Sequence, residues 1–484
     1  MTILYAALGL LFILICIMVI NTVYKRPSRV DAAPNMPLPL DEDTLAKHLS
    51  GMIRFKTVTC AITNDIDSAA FLGLHNYLEK TYPLVHQSLD KKVINTYSLL
   101  YKWAGMGSDK KPFLLIAHMD VVPVEKRTVG EWLHEPFSGD IADGYVWGRG
   151  AIDMKGQLTA IFECVEYLLE EGYAPQRDIY IAVGHDEESM GSQGAQKIAE
   201  HLRDSGVRLD FVLDEGGVVT DGAVMGINAM VATIGICEKG YADIKLTATS
   251  SGGHASRPPK TTAVGALSAA ITALEKRQLR PGLHKPLKDM LDAVGGYMKF
   301  PLNIIAANLF ITKRLLMAGF AAKPTGSALV RTTTAPTMLS GSSAPNVLAE
   351  KAEAIVNFRI APQDSVETLL GHIKKTVGSN IAVDVLQAYE PSGVSDTKTQ
   401  AYQKIFQTIK SIFPDYVIAP YLMIAATDSR LYEHLADGGV YRFSPFRSLS
   451  EDLDTIHGVG ERLKTESLRE GVEFYIRLVK NAGQ

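Results

Sequence analysis

Cysteine is scarce in this chain, and the cysteines that are present do not form a motif. The four of them, Cys16, Cys60, Cys164 and Cys237, are far apart, and none belongs to a C-x-x-C pair. The sequence therefore predicts neither a zinc ribbon nor a disulfide framework. A basic stripe is also missing, since 53 acidic residues slightly outnumber 49 basic ones. We accordingly expect no nucleic-acid partner.

Charge is absent from the beginning of the chain. Residues 3–23 contain no Asp, Glu, Lys or Arg and consist mainly of Leu, Ile, Ala and Val. About 20 apolar residues suffice for a helix to span a bilayer. We therefore predict a single-pass transmembrane anchor over residues 1–24, which makes the membrane a partner of the chain. The alternative is a cleaved signal peptide and a secreted protein, although the run lacks a basic leader and a clear cleavage site.

The segment after the anchor is basic at first and then rich in proline. Lys25, Arg26 and Arg29 follow the apolar run, and by the positive-inside rule they would keep the rest of the chain cytoplasmic. Because long domains override this bias, the side of the membrane stays open. Residues 25–40 also hold four prolines, which predict an extended linker between the anchor and the following domains.

The 484 residues are too many for one ordinary core, so we expect two domains. Strand-like and helical segments alternate from residue 41 onward, which is typical of an α/β domain with a mostly parallel sheet covered on both faces. The predicted strands are 112–119, 178–184 and 210–214, and the predicted helices are 43–54, 66–81, 156–171 and 191–205. We assign residues 41–236 and 391–484 to this domain.

Residues 237–390 are predicted to form an α+β domain of ferredoxin-like type, inserted into the first as a lid. Its strand patterns are at 241–249, 353–360 and 381–388, and its helical patterns are at 262–276 and 365–377. Within this insert, residues 295–320 are strongly apolar. A buried helix pair explains them, and the alternative is an apolar wall for a hydrophobic substrate or for the membrane surface.

Five clusters of metal-type ligands follow one another along the chain. They are His118 with Asp120, then Asp153, Glu187 with Glu188, Asp214 with Glu215, and His457. Several come just after predicted strands, at the edge of an open α/β sheet where ligand sites form. Imidazole and carboxylate groups without thiolates suit zinc, or cobalt and manganese, in a catalytic centre. The order of the clusters makes a two-metal hydrolytic centre the leading hypothesis.

Three of these clusters suggest distinct roles. His118 and Asp120 project from the same face of a strand, so the aspartate can fix the ring of the histidine. Asp153 lies in a turn before a helix, where a carboxylate can bridge two cations about 4 Å apart. Of the adjacent acids Glu187 and Glu188, one can hold a metal while the other stays free as a general base.

The segments that carry these residues form recognisable motifs. They are 117–123 (Ala-His-Met-Asp-Val-Val-Pro), 147–156 (Trp-Gly-Arg-Gly-Ala-Ile-Asp-Met-Lys-Gly), 186–191 (Asp-Glu-Glu-Ser-Met-Gly), 213–216 (Leu-Asp-Glu-Gly) and 457–458 (His-Gly). In them the chain resembles the zinc aminoacylase, carboxypeptidase G, carboxypeptidase S and succinyl-diaminopimelate desuccinylase family, from about residue 41 to the end. It looks most like carboxypeptidase S and the hydrolases of N-fatty-acyl amino acids.

The resemblance implies two zinc ions and a role for each ligand. One zinc would be held by His118, Asp153 and either Asp214 or Glu215, and the other by Asp153, Glu188 and His457. Glu187 would be the general base, and Asp120 would orient His118. Relatives differ in register at the strand end, so the choice between Asp214 and Glu215 stays open.

Further matches concern the substrate. His254, in Gly-His-Ala-Ser, matches a lid histidine that reaches toward the substrate carbonyl and stabilises the oxyanion, in dimeric relatives across to the neighbouring subunit. Asn346 and Arg359 match positions that grip a free carboxylate of the substrate. Arg430, in Thr-Asp-Ser-Arg, matches another substrate-side loop, but two alanines just before that loop replace the usual glycines.

Together with the anchor, these matches imply a membrane-bound, dinuclear zinc-dependent amidohydrolase or carboxypeptidase. Its substrate would carry an amide bond beside a free carboxylate, either a C-terminal peptide bond or the bond of an N-acyl amino acid. The apolar residues 295–320 favour hydrophobic acyl groups. Whether the chain forms a homodimer stays open. The rival hypothesis is an inactive membrane-bound binding protein, but every expected catalytic position holds a competent residue.

Overall fold

The computed structural model of the protein describes residues 1–25, 36–60, 66–107, 109–222 and 226–484. Most of the linker predicted over residues 25–40 lies outside these ranges. Among the described helices, α1 (Thr2–Tyr24) alone is long and apolar enough to cross a membrane, by length and composition. The segment predicted as an anchor is thus a helix.

Helices and strands alternate along the rest of the described chain. The helices are α2 (Glu42–Ile53), α3 (Ser68–Thr81), α4 (Pro83–Ser88), α5 (Lys155–Glu170), α6 (Ala195–Asp204), α7 (Ala263–Lys276), α8 (Lys285–Val294), α9 (Leu302–Ala307), α10 (Leu309–Ala321), α11 (Pro324–Val330), α12 (Val366–Val377), α13 (Gln400–Ile412), α14 (Ser450–Leu453) and α15 (Thr465–Ala482). Side-chain caps explain several helix starts. Asp67 accepts hydrogen bonds from two N–H groups of α3, and Ser365 forms a capping box with Thr368 at the start of α12.

The strands belong to one large sheet and three smaller ones. They are β1 (Asp90–Ile94), β2 (Ser98–Trp103), β3 (Phe113–His118), β4 (Ile141–Ala142), β5 (Tyr145–Trp147), β6 (Ile179–Gly184), β7 (Val212–Asp214), β8 (Val219–Asp221), β9 (Met230–Glu238), β10 (Gly240–Thr249), β11 (Gly253–His254), β12 (Thr333–Ser340), β13 (Val347–Leu348), β14 (Lys351–Ile360), β15 (Ile381–Tyr389), β16 (Val417–Met423), β17 (Val440–Arg442) and β18 (Arg462–Lys464). Most of these strands are shorter than the helices that cover them.

The large sheet has parallel strands at its centre. Its order among the described strands is β1-β2-β6-β3-β7-β17-β9-β16, with β8 paired to β9. The neighbours β6, β3, β7 and β17 are parallel, whereas β1, β2 and β8 pair in antiparallel fashion. Alternate residues of β3 enter two different cores, one under α2, α5 and α15 and the other under α6. Because the central strands are parallel, their carboxyl ends meet at one edge of the sheet.

The second sheet is antiparallel and smaller, in the order β12-β14-β10-β15. Residues of β14 alternate strictly between buried and partly exposed positions, as in a strand with one covered face. Helices α7 and α12 pack on the covered face of the sheet. The α/β architecture with an inserted α+β lid, predicted from the sequence, is confirmed by this arrangement.

Helices α8 to α11 form a layer of which the sequence indicated only a helix pair in residues 295–320. They lie within the predicted insert 237–390, but they pack against the edge of the large sheet. Leu287 and Met290 of α8 share a core with Val231 of β9 and with Val417 and Ala419 of β16. The insert therefore consists of a lid sheet and a separate helical layer.

The two chain crossings between the sheets lie side by side. The first joins the end of β9 to the start of β10, and the second follows the end of β15. The backbone N–H of Ser392 donates to the carbonyl of Glu238 at 3.1 Å, and the Ser392 hydroxyl accepts from the N–H of Glu238 at 2.8 Å. A Cβ atom on Gly240 would lie 2.6 Å from the carbonyl oxygen of Tyr389, so the close approach requires glycine. We call residues 238–240 and 389–392 the hinge.

Candidate metal centre

Three strand ends of the large sheet carry the candidate ligands to one place. His118 is the last residue of β3, and it is in register with Gly184 at the end of β6. A short 3₁₀ turn after β6 presents Glu187 and Glu188. Glu215 follows β7 directly. This edge of a parallel sheet is where open α/β proteins hold ligands.

Asp153 lies between two histidines, with one carboxylate oxygen toward each. Its Oδ1 is 3.1 Å from Nε2 of His118, and its Oδ2 is 3.1 Å from Nε2 of His457. His457 Nε2 is also 3.2 Å from Oε2 of Glu188, and His118 Nε2 is 3.3 Å from Oε1 of Glu215. The candidate ligands thus fall into two sets that share one carboxylate.

The structure separates the two acids whose roles the sequence left open. Both oxygens of the Asp214 carboxylate accept backbone hydrogen bonds, from Glu215 at 2.8 Å and from Ser429 at 2.9 Å. Glu215, by contrast, turns its carboxylate toward His118. Asp214 therefore holds the loop around Ser429, and Glu215 is the acid that faces the histidine.

Asp120 is buried behind His118 and joins it to the neighbouring turn. Its carboxylate lies 3.4 Å from Nδ1 of His118 and accepts hydrogen bonds from the N–H groups of Glu187 and Glu188, at 3.2 and 3.1 Å. The hydroxyl of Thr59 donates to the same carboxylate at 2.6 Å. Asp120 thus fixes the ring of one candidate ligand and the backbone of the acidic turn together.

Glu461 is a residue of the site that the sequence did not reveal. Its side chain is fully buried and accepts hydrogen bonds from the backbone N–H groups of Gly150, Ile152 and Asp153, at 3.0, 2.9 and 3.1 Å. Arg149 donates to the same carboxylate at 2.6 Å. Nothing in the pattern around Glu461 distinguishes it from a surface acid, although it lies only four residues after His457.

The carboxylates of the cluster repel one another and are shielded from water. Burial first, and then the negative charge of Asp153, raises the pKa of Glu215 to about 8 and that of Glu188 to about 7. One oxygen of Glu188 is buried without a hydrogen-bond partner among the described residues. A divalent cation would neutralise this charge and occupy the unpaired oxygen.

The two histidines respond in the opposite direction. Hydrogen bonds to Asp153 and Glu188 raise the pKa of His457 to about 10. Burial by itself would lower the pKa of His118, but bonds to Asp120, Asp153 and Glu215 raise it well above its ordinary value. Each ring thus lies where a cation could replace its proton. Candidate ligand atoms of His118, Asp153 and Glu188 lie within 4.8 Å of one another. The residues fit a divalent metal site with imidazole and carboxylate ligands.

A cavity of about 410 Å³ opens over these ligands. Glu187 lines it beside Asp153, Glu188, Glu215 and His457. Burial first, and then the charges of neighbouring acids such as Asp428, raises the pKa of Glu187 well above its ordinary value. A carboxylate with a raised pKa beside a metal site is suited to general-base work.

Two arginines and two tyrosines form the side of the cavity near the hinge. Arg359 lies over the ring of Tyr241 at 4.9 Å, Arg430 lies over the ring of Tyr389 at 4.7 Å, and the two tyrosines stack at 5.6 Å. The guanidinium of Arg430 also donates to the carbonyl oxygens of Thr427 and Met190, at 2.8 and 3.1 Å. Both arginines predicted from the sequence therefore lie at the cavity, and the tyrosines are additions.

His254 and Asn346, in contrast, do not reach the cavity of this chain. Both are exposed on the lid, where β11 pairs with β13 and the N–H of Ala255 donates to the carbonyl of Asn346. Tyr241 lines the cavity near the start of β10, and Thr249 ends that strand eight residues later. At roughly 3.4 Å per residue, the lid carries its far end about 27 Å away from the cavity.

Comparison with known proteins now decides the family. The model of "Peptidase family M20/M25/M40" matches residues 114–481, which include every candidate ligand. The chain belongs to peptidase family M20/M25/M40. A probable carboxypeptidase S-like protein 2 of Dictyostelium discoideum is 37% identical over 91% of this chain and 86% of its own length.

Two further comparisons extend this assignment. The N-fatty-acyl-amino acid synthase/hydrolase PM20D1 of Xenopus tropicalis is 36% identical over 99% of this chain and 95% of its own length. The crystal structure of the M20 metallo-carboxypeptidase Sso-CP2 from Sulfolobus solfataricus superposes with a TM-score of 0.68, at 16% identity, over 92% of this chain and all of that one. The M20 chain described here is thus a metal-dependent hydrolase, as the sequence predicted.

Proposed function

We propose that this M20 hydrolase is a dinuclear zinc enzyme that cleaves an amide bond beside a free carboxylate. The observation that carries the proposal is Asp153, whose two oxygens face His118 and His457 in different ligand sets. A carboxylate in this position would serve as a ligand in both sets of a two-metal hydrolase. One set is His118, Asp153 and Glu215, and the other is Asp153, Glu188 and His457.

The chemistry divides between the metal and the side chains. When bound, zinc would supply Lewis acidity for the scissile carbonyl and would lower the pKa of a water molecule. Glu187 lines the cavity beside both ligand sets, where its carboxylate would take a proton from the attacking water and pass it to the leaving nitrogen. Asp120 and Glu461 act through the backbone, since each holds a turn that carries a ligand.

Arg359 is the proposed partner of the substrate carboxylate. A planar guanidinium binds a carboxylate with two parallel hydrogen bonds. Arg359 lines the cavity and rests on the face of Tyr241, which fixes the plane of its guanidinium. Arg430 donates to two backbone carbonyls instead, so we assign it to holding the cavity wall in place.

Apolar side chains also line the cavity and favour a hydrophobic acyl group. Val218, Met423, Phe446 and Ile456 line it together with Ile152. The relative from Xenopus tropicalis is named for N-fatty-acyl amino acids, and such a substrate has both an apolar chain and a free carboxylate. A C-terminal peptide bond is the second candidate, since the relative from Dictyostelium discoideum is named carboxypeptidase S-like.

His254 would act on a neighbouring copy rather than on its own chain. Rotation of the lid about the hinge would keep the far end of β10, which leads to His254, roughly 27 Å from the cavity, because the strand starts beside the cavity. Because the cavity lies next to the axis of this rotation, the rotation cannot bring the far end of the lid over the cavity of the same chain. A homodimer in which each lid reaches across would place His254 as an oxyanion donor, with Asn346 beside it.

Helix α1 would anchor this enzyme in a membrane. The helix has 23 residues without a buried side chain, enough to span about 30 Å of hydrocarbon. A signal sequence passes the same test of length and composition, and removal of α1 would release the hydrolase. Retention of the N-terminus in membrane fractions, followed with an antibody tag at residue 1, separates the two.

A comparison of two substrates tests the reaction. The purified full chain in detergent micelles is given N-oleoyl-phenylalanine or an unmodified dipeptide, before and after chelation and zinc addition. We expect hydrolysis of both, faster for the N-oleoyl compound, with loss of activity on chelation and recovery with zinc. Hydrolysis that persists after complete metal removal would contradict the metal mechanism. Faster dipeptide cleavage would overturn the preference for acyl groups.

A further inference from the structure

Large apolar side chains are exposed on the helical layer, outside the catalytic cavity. Phe300 is 79% exposed, Phe310 64% and Leu315 63%, and Leu302 and Ile311 are exposed beside them in sequence. We call these five residues the apolar patch. Single exposed apolar side chains are common on protein surfaces, but five large ones within residues 300–315 indicate an interaction surface.

The layer that carries the patch is firmly attached to the enzyme. On its inner side, Ala306, Leu316 and Met317 are buried in a core shared with Val417 and Ala419 of β16. Helix α10 is therefore apolar on both sides, with only one side covered by protein. The buried helix pair expected from the sequence describes the inner face of the layer, and the outer face is exposed.

Helix α1 packs directly on this layer. The side-chain amide of Asn308, between α9 and α10, donates to the carbonyl of Met18 at 3.2 Å and to the hydroxyl of Thr22 at 3.3 Å. Asn21 of α1 donates to Asn308 Oδ1 at 3.1 Å, and Lys25 pairs with Asp292 at 2.6 Å. Polar contacts at the end of α1 thus fix where the proposed anchor meets the folded domain.

The contact also sets the depth of the helical layer in a bilayer that α1 would span. Leu14, Met18, Asn21 and Thr22 are partly covered and lie on one face of α1. Eight residues separate Leu14 from Thr22, which is roughly 12 Å along a helix. If α1 spans the bilayer, the layer beside it reaches about as far below the headgroups as monotopic helices do, roughly 5–10 Å.

Asp289 and Asp292 lie on α8, but the segment that carries the patch holds charges of one sign. From residue 293 to residue 349 the chain contains no Asp or Glu, whereas Lys299, Lys313, Arg314 and Lys323 lie within or next to the layer. Lysine and arginine near an apolar face bind lipid phosphates and snorkel toward the headgroups. A second copy docked through the same face would instead bring these cations together.

We infer that the apolar patch lies in the headgroup–acyl boundary of the leaflet that α1 enters. This inference rests on the proposed anchor and not on the proposed hydrolysis. The bilayer surface would then be close to the catalytic cavity, because β16 runs from Val417 under the helical layer to Met423 in the cavity wall. The distance along the strand is roughly 20 Å. An acyl chain held in the leaflet lies within reach of that path.

Tryptophan fluorescence in brominated bilayers tests the inference. The full chain is placed in nanodiscs of phosphatidylcholine and phosphatidylglycerol with bromine on the acyl chains, and F310W and L315W are compared with the wild type. We expect the added fluorescence to fall roughly twofold relative to unbrominated discs, since a ring at this depth contacts the bromines. The three native tryptophans supply a constant background.

M338W is the matched control, because Met338 is equally exposed but lies on β12 of the lid. Its fluorescence should be the same in both kinds of disc. A circular dichroism spectrum equal to that of the wild type shows that each variant is folded. Unquenched fluorescence at positions 310 and 315 would overturn the inference, whether the emission indicates water or a covering protein. Failure of hydrolysis with intact quenching would contradict the proposed function alone.

Discussion

The carboxylate of Glu461 accepts a hydrogen bond from the backbone N–H of Asp153 at 3.1 Å, across 308 positions of sequence. His457 lies four residues before Glu461 and faces the side chain of the same aspartate. One short segment near the end of the chain therefore supplies a candidate ligand and also fixes the loop that carries the shared one. Pairing of β18 with β5 keeps the two segments together.

Replacement of Glu461 by Gln should weaken metal binding without removing a ligand. An amide NH₂ group would face N–H donors that now meet a carboxylate, so the loop of Asp153 would shift. We expect zinc affinity to fall roughly 10- to 100-fold, as for other residues that hold metal ligands in place. Competition with a chromophoric chelator measures it. E466Q on the surface of α15 is the control, and equal affinity in both variants would contradict the role of Glu461.

Replacement of Glu187 by Gln should abolish turnover and leave metal binding intact. Glu187 lines the cavity but belongs to neither proposed ligand set, and the amide cannot accept the proton of water. We expect kcat to fall roughly 10²- to 10⁴-fold, with an unchanged zinc content by elemental analysis. E125Q, at an exposed position, controls for handling. A parallel loss of zinc would show that Glu187 is a ligand and not the base.

Two inactive variants should restore each other if His254 acts across a dimer. H254A lacks the lid histidine, and E187Q lacks the base. After random mixing, half of the dimers are heterodimers, and each has one site with both residues. We expect about a quarter of the wild-type activity from an equal mixture after subunit exchange. A mixture no more active than its components would mean that His254 serves its own chain or has no catalytic role.

Replacement of Arg359 by Lys should raise KM only for substrates that have a free carboxylate. Lysine keeps the charge but loses the planar pair of donors and the stacking on Tyr241. We expect KM for an N-acyl amino acid to rise roughly 10-fold or more, with a smaller change in kcat. An N-acyl amino amide, which lacks the carboxylate, should be hydrolysed equally by both proteins. An equal KM increase for both compounds would assign Arg359 a structural role.

Lys239 gives the stability of the protein a pH dependence that can be isolated. It lies in the hinge, where its Nζ donates to the carbonyls of Ala328 and Arg331, at 3.1 and 2.9 Å. Burial first, and then the charge of Arg359, lowers the pKa of Lys239 to about 7. Between this value and its usual pKa of about 10.4, the unfolded chain binds one more proton than the folded chain.

Stability should therefore rise with pH above 7 in the wild type by up to roughly 1.4 kcal/mol per pH unit from this group. In K239M the contribution is absent. Denaturant unfolding at pH 7, 8 and 9 should show a difference between the two proteins that grows in favour of the wild type. K260M, at an exposed position, should follow the wild type. A difference that does not change with pH would contradict the lowered pKa.

The sequence predicted the parts of this structure that depend on local pattern. Strands β3, β6 and β7 and helices α3 and α5 lie within a few residues of their predicted bounds. His118, Glu188 and His457 come together because parallel strands end at one edge and the chain returns to it. The bounds of the strands and helices follow from periodicity, which is a property of short segments, whereas the return of His457 to the site was implied by the family resemblance of the motifs.

Other features depend on three-dimensional packing and had no local signal. The sequence does not distinguish a buried glutamate such as Glu461 from an exposed one. Its burial depends on the loop of residues 149–153, which packs around it. The position of His254 depends on the direction in which β10 leaves the hinge, which no periodicity encodes. Helix α8 is amphipathic in the sequence, but the sequence does not say which sheet its apolar face will cover.

The hinge makes the molecule tolerant of additions. The chain leaves the large sheet at Glu238 and returns beside the same point at Ser392, with a hydrogen bond between the two, so the intervening residues begin and end at one place. Residues inserted between Glu238 and Ser392 do not change the distance between the two parts of the catalytic domain. Helices α8 to α11 are one addition of this kind, and the ligands on either side keep their geometry. The lid and the helical layer can thus differ between M20 enzymes while the candidate metal ligands keep their positions.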